Sequence, residues 1–502
     1  MSAALLFAFL IGVPAAFGAA CESLSALSLP ATTITKAEAV PAGAFTLPNS
    51  NPGQQTAFGR LPAFCRVAAT IRPTDDSEIK IEVWMPADDW NRKFMGVGNG
   101  GWSGNIAYSA LATALSRGYA VASTNTGHDG GDASFVPGHP EKLVDFAYRA
   151  VHEMTVTGKR MAEAYYGAAP ARAYWNGCSS GGKQGLMEAQ KFPSDYDGIV
   201  AGAPANYWTH LMAGDLWPAV VTHKNPAASL PQAKLEVLHK AALAACDQLD
   251  GVEDRTLEDP SRCRFDPATV QCAGDAQDNC LTVAQVEAAR QIYAGARNPR
   301  TGRQVFPGMP PGSELGWSAL AGSKPFGIPV SHFRHVVFNN PDWDFLSLDF
   351  DKDVALADKL DQGLIGATDP DLGKFFAHGG KLIVYHGWND QLITPLNSID
   401  YYNSVAAKLG GAAKISGSFR LFMAPGMNHC DGGEGPSHLD AVAAMEQWVE
   451  QGTAPDRIVA SRVSAGDQVD RTRPLCPYPQ VARYSGQGST DNAANFTCVQ
   501  DK

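Results

Sequence analysis

No run of Lys and Arg in this 502-residue chain is long enough to follow a phosphate backbone, and basic residues are the minority, 40 against 51 acidic for a net charge of −11. Nucleic acid is therefore not an expected partner. Charge of either sign is scarce at 18% of residues, and with 45% hydrophobic residues this excludes a charge-rich disordered chain. The 50 Gly and 33 Pro fall short of low-complexity sequence and instead mark many loops and turns. No internal repeat is visible, and beyond the N-terminus no apolar run is long enough to span a bilayer. What remains is an ordinary globular chain with enough length to bury a sizeable core.

The N-terminus bears on compartment. Ala3 to Ala20 holds only apolar or small residues, densest at Leu5 to Val13, with small residues before Cys21. Residues 1–20 therefore read as a secretory signal; Pro14 interrupts the run, which argues against a membrane anchor, and the pattern before Cys21 is a poorer lipoprotein site than an ordinary cleavage site. An exported chain meets an oxidising environment, secreted or periplasmic, where ten cysteines are expected to form five disulfides.

From about Ile79 short apolar runs alternate with helical patterns, the signature of an α/β sheet. Ile79, Ile81 and Val83 alternate with polar residues; Phe94 to Val97 runs into Gly98-Asn99-Gly100-Gly101; Tyr119 to Ser123 is followed by Thr126-Gly127-His128-Asp129-Gly130-Gly131. Leu143 to Tyr166 carries apolar residues at helical spacing and ends at Gly167. Lys381 to Tyr385 and Phe419 to Met423 read as buried strands. Between roughly Asn206 and Gly373 the alternation is lost. That segment holds four Trp and four Cys, is too long for a loop, and is expected to fold as a lid domain, 206–373, inserted in a catalytic domain of 21–205 and 374–502.

Gly177-Cys178-Ser179-Ser180-Gly181 fits Gly-x-Ser-x-Gly, the sharp strand-to-helix turn that lifts a Ser hydroxyl above a sheet. An apolar strand precedes it and Lys183 to Lys191 has the composition of a helix, which favours Ser179 as nucleophile over an ordinary Gly/Ser loop. A Ser hydroxyl needs a base oriented by a carboxylate, in the chain order Ser, Asp, His for this fold. Asp390 follows the strand that ends in Tyr385, and His429 follows the next one. Cys178 directly precedes Ser179 and Cys430 directly follows His429, so a catalytic contact between the serine and the histidine would bring the two cysteines within disulfide reach.

Gly-Cys-Ser-Ser-Gly-Gly, the Asp of His-Gly-Trp-Asn-Asp and the closing His-Cys resemble the tannase and feruloyl esterase family, secreted α/β-hydrolases with a paired Cys-Ser, Asp, His-Cys arrangement. The resemblance runs over essentially the whole mature chain. It implies an α/β-hydrolase fold with a large inserted lid domain, and Ser179, Asp390 and His429 as the triad. Relatives that hydrolyse terephthalate monoesters are expected to carry a Glu and an aromatic residue where this chain has Ser180 and Ile393, so that activity is not implied. The oxyanion donors are expected to be the backbone N–H of Ser180 and, from the loop after the third strand of such a fold, Gly101 in preference to Gly100.

Cys246-Asp247-Gln248-Leu249-Asp250-Gly251-Val252-Glu253-Asp254 gathers hard oxygen ligands without the EF-hand spacing, and by itself reads as a solvated acidic loop. The resemblance implies instead a structural calcium loop, with Asp247, Asp250 and Asp254 binding through side chains and Val252 and Thr256 through main-chain carbonyls. The family and proximity also imply Cys21 with Cys65, Cys246 with Cys263, Cys272 with Cys280 and Cys476 with Cys498, one of many connectivities the sequence permits. The expected activity is hydrolysis of small aromatic esters, feruloyl first and galloyl second, with Trp208, Trp217 and Trp317 as candidates to stack on the ring. A calcium-dependent carbohydrate-binding or surface module on an inactive hydrolase scaffold is the reading from another class; the intact Ser, Asp, His set speaks against it.

Overall fold

The computed structural model describes residues 19–48, 55–56, 58–274, 277–464 and 466–500. The expected signal segment lies almost wholly outside them. Nine strands form one sheet: β1 (Thr32–Val40), β2 (Phe64–Ile71), β3 (Ile79–Pro86), β4 (Lys93–Val97), β5 (Ala120–Thr124), β6 (Arg172–Cys178), β7 (Gly198–Gly202), β8 (Lys381–Gly387) and β9 (Phe419–Ala424). Their spatial order is β1-β2-β3-β5-β4-β6-β7-β8-β9. Pairing is antiparallel from β1 through β3 to β5 and parallel from there on.

The strands are apolar on both faces because both are covered. Along β5, Ala120 and Ala122 point into one core layer and Val121 into the other; along β8, Leu382 and Val384 oppose Ile383. The first layer is closed by the helices Ala150–Tyr166 and Ser180–Lys191 through Met154, Met161, Leu186 and Met187. Tyr108–Ser116 and Ala441–Gln451 close the second through Leu111, Leu115, Met445 and Trp448. The result is a three-layer α/β architecture.

The expected helix over Leu143–Tyr166 is broken into Pro140–Val144, a π-helical turn Asp145–Arg149, and Ala150–Tyr166, which ends at a left-handed Gly167. Two strands precede the expected start of the sheet, and two antiparallel pairs, β10 (Ile458–Ser464) with β11 (Gln468–Leu475) and β12 (Gln480–Tyr484) with β13 (Phe496–Gln500), follow it.

Everything between Gly202 and Lys381 leaves the sheet after β7 and returns at β8. The segment is helical, with Trp208–Lys224, Gln232–Cys246 and Val283–Ala294 its longer helices. Good helix formers fill Gln232–Cys246, and Thr282 with Gln285 makes a capping box at the start of Val283–Ala294. Its main core includes Trp102, Phe146 and Ala147 from outside the segment, so it packs directly over the loop that follows β4. Among the described residues no helix is long and apolar enough to cross a membrane.

Candidate active site

Ser179 sits between β6 and the helix Ser180–Lys191 with φ 63° and ψ −124°. This left-handed backbone costs a non-glycine residue about 1–3 kcal/mol and persists only where its surroundings enforce it. The enforcement is tight packing of glycines. A Cβ on Gly177 would lie 2.6 Å from the Gly181 carbonyl oxygen, and one on Gly98 would lie 2.5 Å from Gly181 Cα. The loop after β4 is thereby pressed onto the nucleophile turn. It follows the fourth strand in the chain, where the loop after a third strand was expected.

Both expected oxyanion donors belong to this junction. Ser180 is the first residue of its helix, where backbone N–H groups have no intrahelical partner. Its hydroxyl donates to the Gly101 carbonyl at 2.9 Å. The Gly101 N–H reaches no backbone carbonyl among the described residues. Asn99 fixes the loop: its side-chain amide donates to the carbonyls of Asn105 and Thr124, both at 2.9 Å, and its N–H donates to Gln184 Oε1 at 3.1 Å.

Asp390 is fully buried in the turn after β8. Its Oδ1 accepts the N–H groups of Leu392 and Ile393 at 2.8 and 2.9 Å, and its Oδ2 accepts His429 Nδ1 at 2.8 Å. A second histidine shares that oxygen: His386 Nε2 lies 3.0 Å from Asp390 Oδ2 and 2.9 Å from the Ile393 carbonyl. With two acceptors facing it, Nε2 of His386 carries the proton, and Nδ1 accepts from the Ser398 hydroxyl at 2.8 Å. Burial alone would raise the Asp390 pKa, but attraction to His429 and the hydrogen bonds from both histidines outweigh it and hold the carboxyl well below its ordinary value. The same logic protonates His429 Nδ1 and leaves its Nε2 with a free lone pair. The His429 side chain is 13% exposed, and Gln391 Oε1 anchors its N–H at 3.1 Å.

Cys178 and Cys430 form a disulfide with Cα atoms 6.0 Å apart, joining the residue before Ser179 to the residue after His429. The other four bridges pair Cys21 with Cys65, Cys246 with Cys263, Cys272 with Cys280 and Cys476 with Cys498, and no cysteine is free among the described residues. Five disulfides belong to an oxidising compartment.

Of the three tryptophans expected at the substrate, Trp208 and Trp317 are each 1% exposed. Trp208 packs edge-on to Trp102 and Phe146, and Trp317 against Tyr293, so both are core residues with no face left for a ligand ring. Trp217 is partly buried and borders a groove of about 520 Å³ with Phe350.

The acidic loop lies closer to the site than its place in the sequence suggests. A Cβ on Gly426 would lie 2.6 Å from Thr256 Cγ2, and Arg255 pairs with Glu434 at 2.5 Å, so the loop abuts the turn that carries His429. Burial raises the carboxyls of Asp247 and Asp250, Asp250 to about 6, and repulsion from Asp254 adds to it. Buried, mutually repelling carboxylates are the donor chemistry of a hard cation, and the carbonyls of Val252 and Thr256, both buried, accept no backbone N–H among the described residues. Asp254 is also paired with Arg473 and lies 3.5 Å from Arg471. Among the described residues the three carboxylates do not bring their ligand atoms within 4.8 Å of one another, whereas His152, Glu188 and Asp195 do.

A nucleophile turn above a mostly parallel sheet, with an Asp and a His delivered by the last two strands, defines a hydrolase of the α/β type. The family model "Tannase and feruloyl esterase" matches residues 65–499. An uncharacterized esterase of Xanthomonas campestris is 42% identical, the match covering 97% of this chain and 92% of that one. A probable feruloyl esterase B-2 of Aspergillus fumigatus is 34% identical, over 96% of each chain. The crystal structure of feruloyl esterase B from Aspergillus oryzae superposes with a TM-score of 0.89 at 32% identity, covering 95% of this chain and 99% of that one. The tannin acyl hydrolase of Aspergillus niger, at 24% identity and TM-score 0.80 over 94% and 92% of the two chains, shares the fold. The chain belongs to the tannase and feruloyl esterase family and is a carboxylic ester hydrolase.

Two features of the site were absent from the sequence reading. His386 stands in the sequence only as the first residue of His-Gly-Trp-Asn-Asp, with no role given to it, although its spacing of four from Asp390 is the available signal. His239, which bridges Glu314 at 3.0 Å and Glu434 at 2.8 Å, joins the inserted segment to the His429 turn and left no trace in any motif.

Proposed function

We propose that this protein is a secreted or periplasmic serine esterase that cleaves aromatic carboxylic esters through an acyl-enzyme, hydroxycinnamoyl esters first and galloyl esters second. The observation that carries the mechanism is the covalent tie between the strained Ser179 turn and the residue next to His429, whose Nδ1 is already held by Asp390. Ser179 Oγ attacks the ester carbonyl while its proton passes to His429 Nε2. The oxyanion is met by the N–H groups of Ser180 and Gly101, each such donor contributing about 2.7–4 kcal/mol to the transition state. Collapse expels the alcohol with the proton from His429, and water then releases the acid by the same path in reverse. Asp390 keeps the imidazole oriented and stabilises its charged form, and His386 keeps Asp390 in place.

The inserted segment acts as a lid. Trp102 Nε1 donates to the Ile328 carbonyl at 3.3 Å, and a Cβ on Gly316 would meet Gln391 Cβ at 2.4 Å, which sets the segment directly beside the oxyanion loop and the Asp390 turn. Calcium at Asp247, Asp250, Asp254 and the carbonyls of Val252 and Thr256 would neutralise the buried acidic loop and stiffen its contact with the His429 turn. The relatives named feruloyl esterase favour a hydroxycinnamoyl substrate over a galloyl one. Rates on methyl ferulate and methyl gallate, for wild type and Ser179→Ala, test the reading. Faster cleavage of the ferulate and none by the variant are expected; equal activity of the two proteins would remove Ser179 from the mechanism.

A further inference from the structure

Glu188, near the end of the helix that begins at Ser180, is 1% exposed, and among the described residues no N–H or O–H group donates to either of its carboxylate oxygens, which face the Asp195 carboxylate. An ionised carboxylate is rarely buried in this way without a compensating cation. One of its oxygens lies within 4.8 Å of a carboxylate oxygen of Asp195 and a ring nitrogen of His152, which are equally close to each other. His152 Nδ1 is 2.7 Å from Asp195 Oδ2, and the ring is stacked on Phe192 at 3.7 Å and 8°, which fixes its direction. At 28% exposure the His152 side chain gives the cluster its opening to solvent. The Lys159 ammonium is close enough to attract the Glu188 carboxylate, but its hydrogen bond goes to the Asp195 main-chain carbonyl. Burial, followed by the Asp195 charge, raises the Glu188 carboxyl well above its ordinary value.

We propose that His152, Glu188 and Asp195 bind one divalent cation of the zinc class. One imidazole and two carboxylates balance its charge, and three protein ligands leave a fourth position toward solvent past His152. Calcium, which takes six to eight oxygens, does not suit so small a nitrogen-containing set. On binding, the proton that His152 Nδ1 shares with Asp195 and any proton on Glu188 pass to solvent, so uptake is weaker at low pH. Glu188 lies eight residues along its helix from Ser180, about 12 Å at 1.5 Å per residue, so the cation would not touch the reacting ester. It would fasten the helix Ala150–Tyr166, the helix Ser180–Lys191 and the turn before β7 to one another.

The test uses the full-length protein, freed of metal by a chelator and returned to calcium so that the acidic loop is satisfied. Cobalt(II) is then titrated while visible absorption is followed, and melting is recorded with and without zinc. One saturable equivalent of cobalt, displaced by zinc, is expected for wild type, together with a rise in melting temperature of about 3 °C at zinc a hundredfold above its Kd. Glu188→Gln should lose the cobalt band, and His152→Asn, at a partly exposed side chain that does not hold the core, should weaken cobalt binding at least tenfold. No saturable band in wild type, or the same band in both variants, would overturn the proposal. Failure of wild type to bind while Glu188→Gln melts higher would overturn it too, by identifying a proton shared between Glu188 and Asp195.

Discussion

Replacing Cys178 and Cys430 together by serine opens a covalent loop of 252 residues. In the chain-entropy description of a crosslink, a loop of that length restricts the unfolded chain by about 5 kcal/mol, slightly less because the Cys246–Cys263 and Cys272–Cys280 bridges lie within it. Unfolding entropy near the midpoint is about 2.1 cal/mol/K per residue, or about 1 kcal/mol/K for this chain, so the double variant should melt about 5 °C lower. The catalytic consequence is separate. With the bridge gone, Ser179 and His429 keep their relative position only through packing, and a displacement of about 1 Å costs about 100-fold in rate. Turnover of methyl ferulate, measured well below the variant's melting temperature, should fall at least about tenfold with KM little changed. Turnover within twofold of wild type would refute the idea that the bridge clamps nucleophile to base, and an unchanged melting temperature would refute the loop argument.

Gly98→Ala places a Cβ 2.5 Å from the backbone of Gly181 and should cost about 1–3 kcal/mol by overpacking, with a larger loss in kcat because the oxyanion loop and nucleophile turn move apart; urea unfolding and initial rates read both. His239 is subject to desolvation that lowers its pKa, but the hydrogen bonds its ring donates to Glu314 and Glu434 overcome this and raise it from 6.5 to about 9. At about 1.4 kcal/mol per unit the shift is worth up to about 3 kcal/mol, fully present below pH 6.5 and lost as pH rises through 9, so the stability gap between wild type and His239→Gln should close across that window. A gap independent of pH would place the His239 contribution in packing. Chelation of calcium should lower the melting temperature and slow turnover, both restored by calcium and not by magnesium; a melting curve indifferent to chelator would return the Asp247–Asp254 loop to an ordinary acidic turn.

The strands legible in the sequence are those with both faces buried. β4, β5, β8 and β9 are short apolar runs with Gly or Pro close by, and their burial is nearly continuous. β1 escaped because Thr32–Val40 is an edge strand with Lys36 and Glu38 facing water, and β11 because most of Gln468–Thr472 is exposed. The helix Trp208–Lys224 escaped because it is buried on several sides and carries Pro218, which leaves no single apolar stripe for a period of 3.6 to reveal. At the site, motif spacing singled out Ser179, Asp390 and His429 as candidates, since each follows a strand end where sequence and position coincide. His386 and His239 act through contacts that only the fold creates, four residues away across a turn in one case and through Glu434 in the other. Trp208 and Trp317 misled because aromatic residues serve a core as readily as a ligand.

The inserted segment leaves the sheet at Gly202 and re-enters at Lys381, and β7 and β8 are neighbouring parallel strands paired from Gly198 with Lys381 to Gly202 with Tyr385. Its two ends are therefore fixed by the sheet itself at opposite ends of neighbouring strands, Gly202 lying level with Tyr385, four residues or about 13 Å along β8 from Lys381. To the scaffold the whole segment is a single loop, whose closing entropy rises only with the logarithm of its length. It can be lengthened, shortened or exchanged over evolutionary time with no change in the register of any strand that carries Ser179, Asp390 or His429.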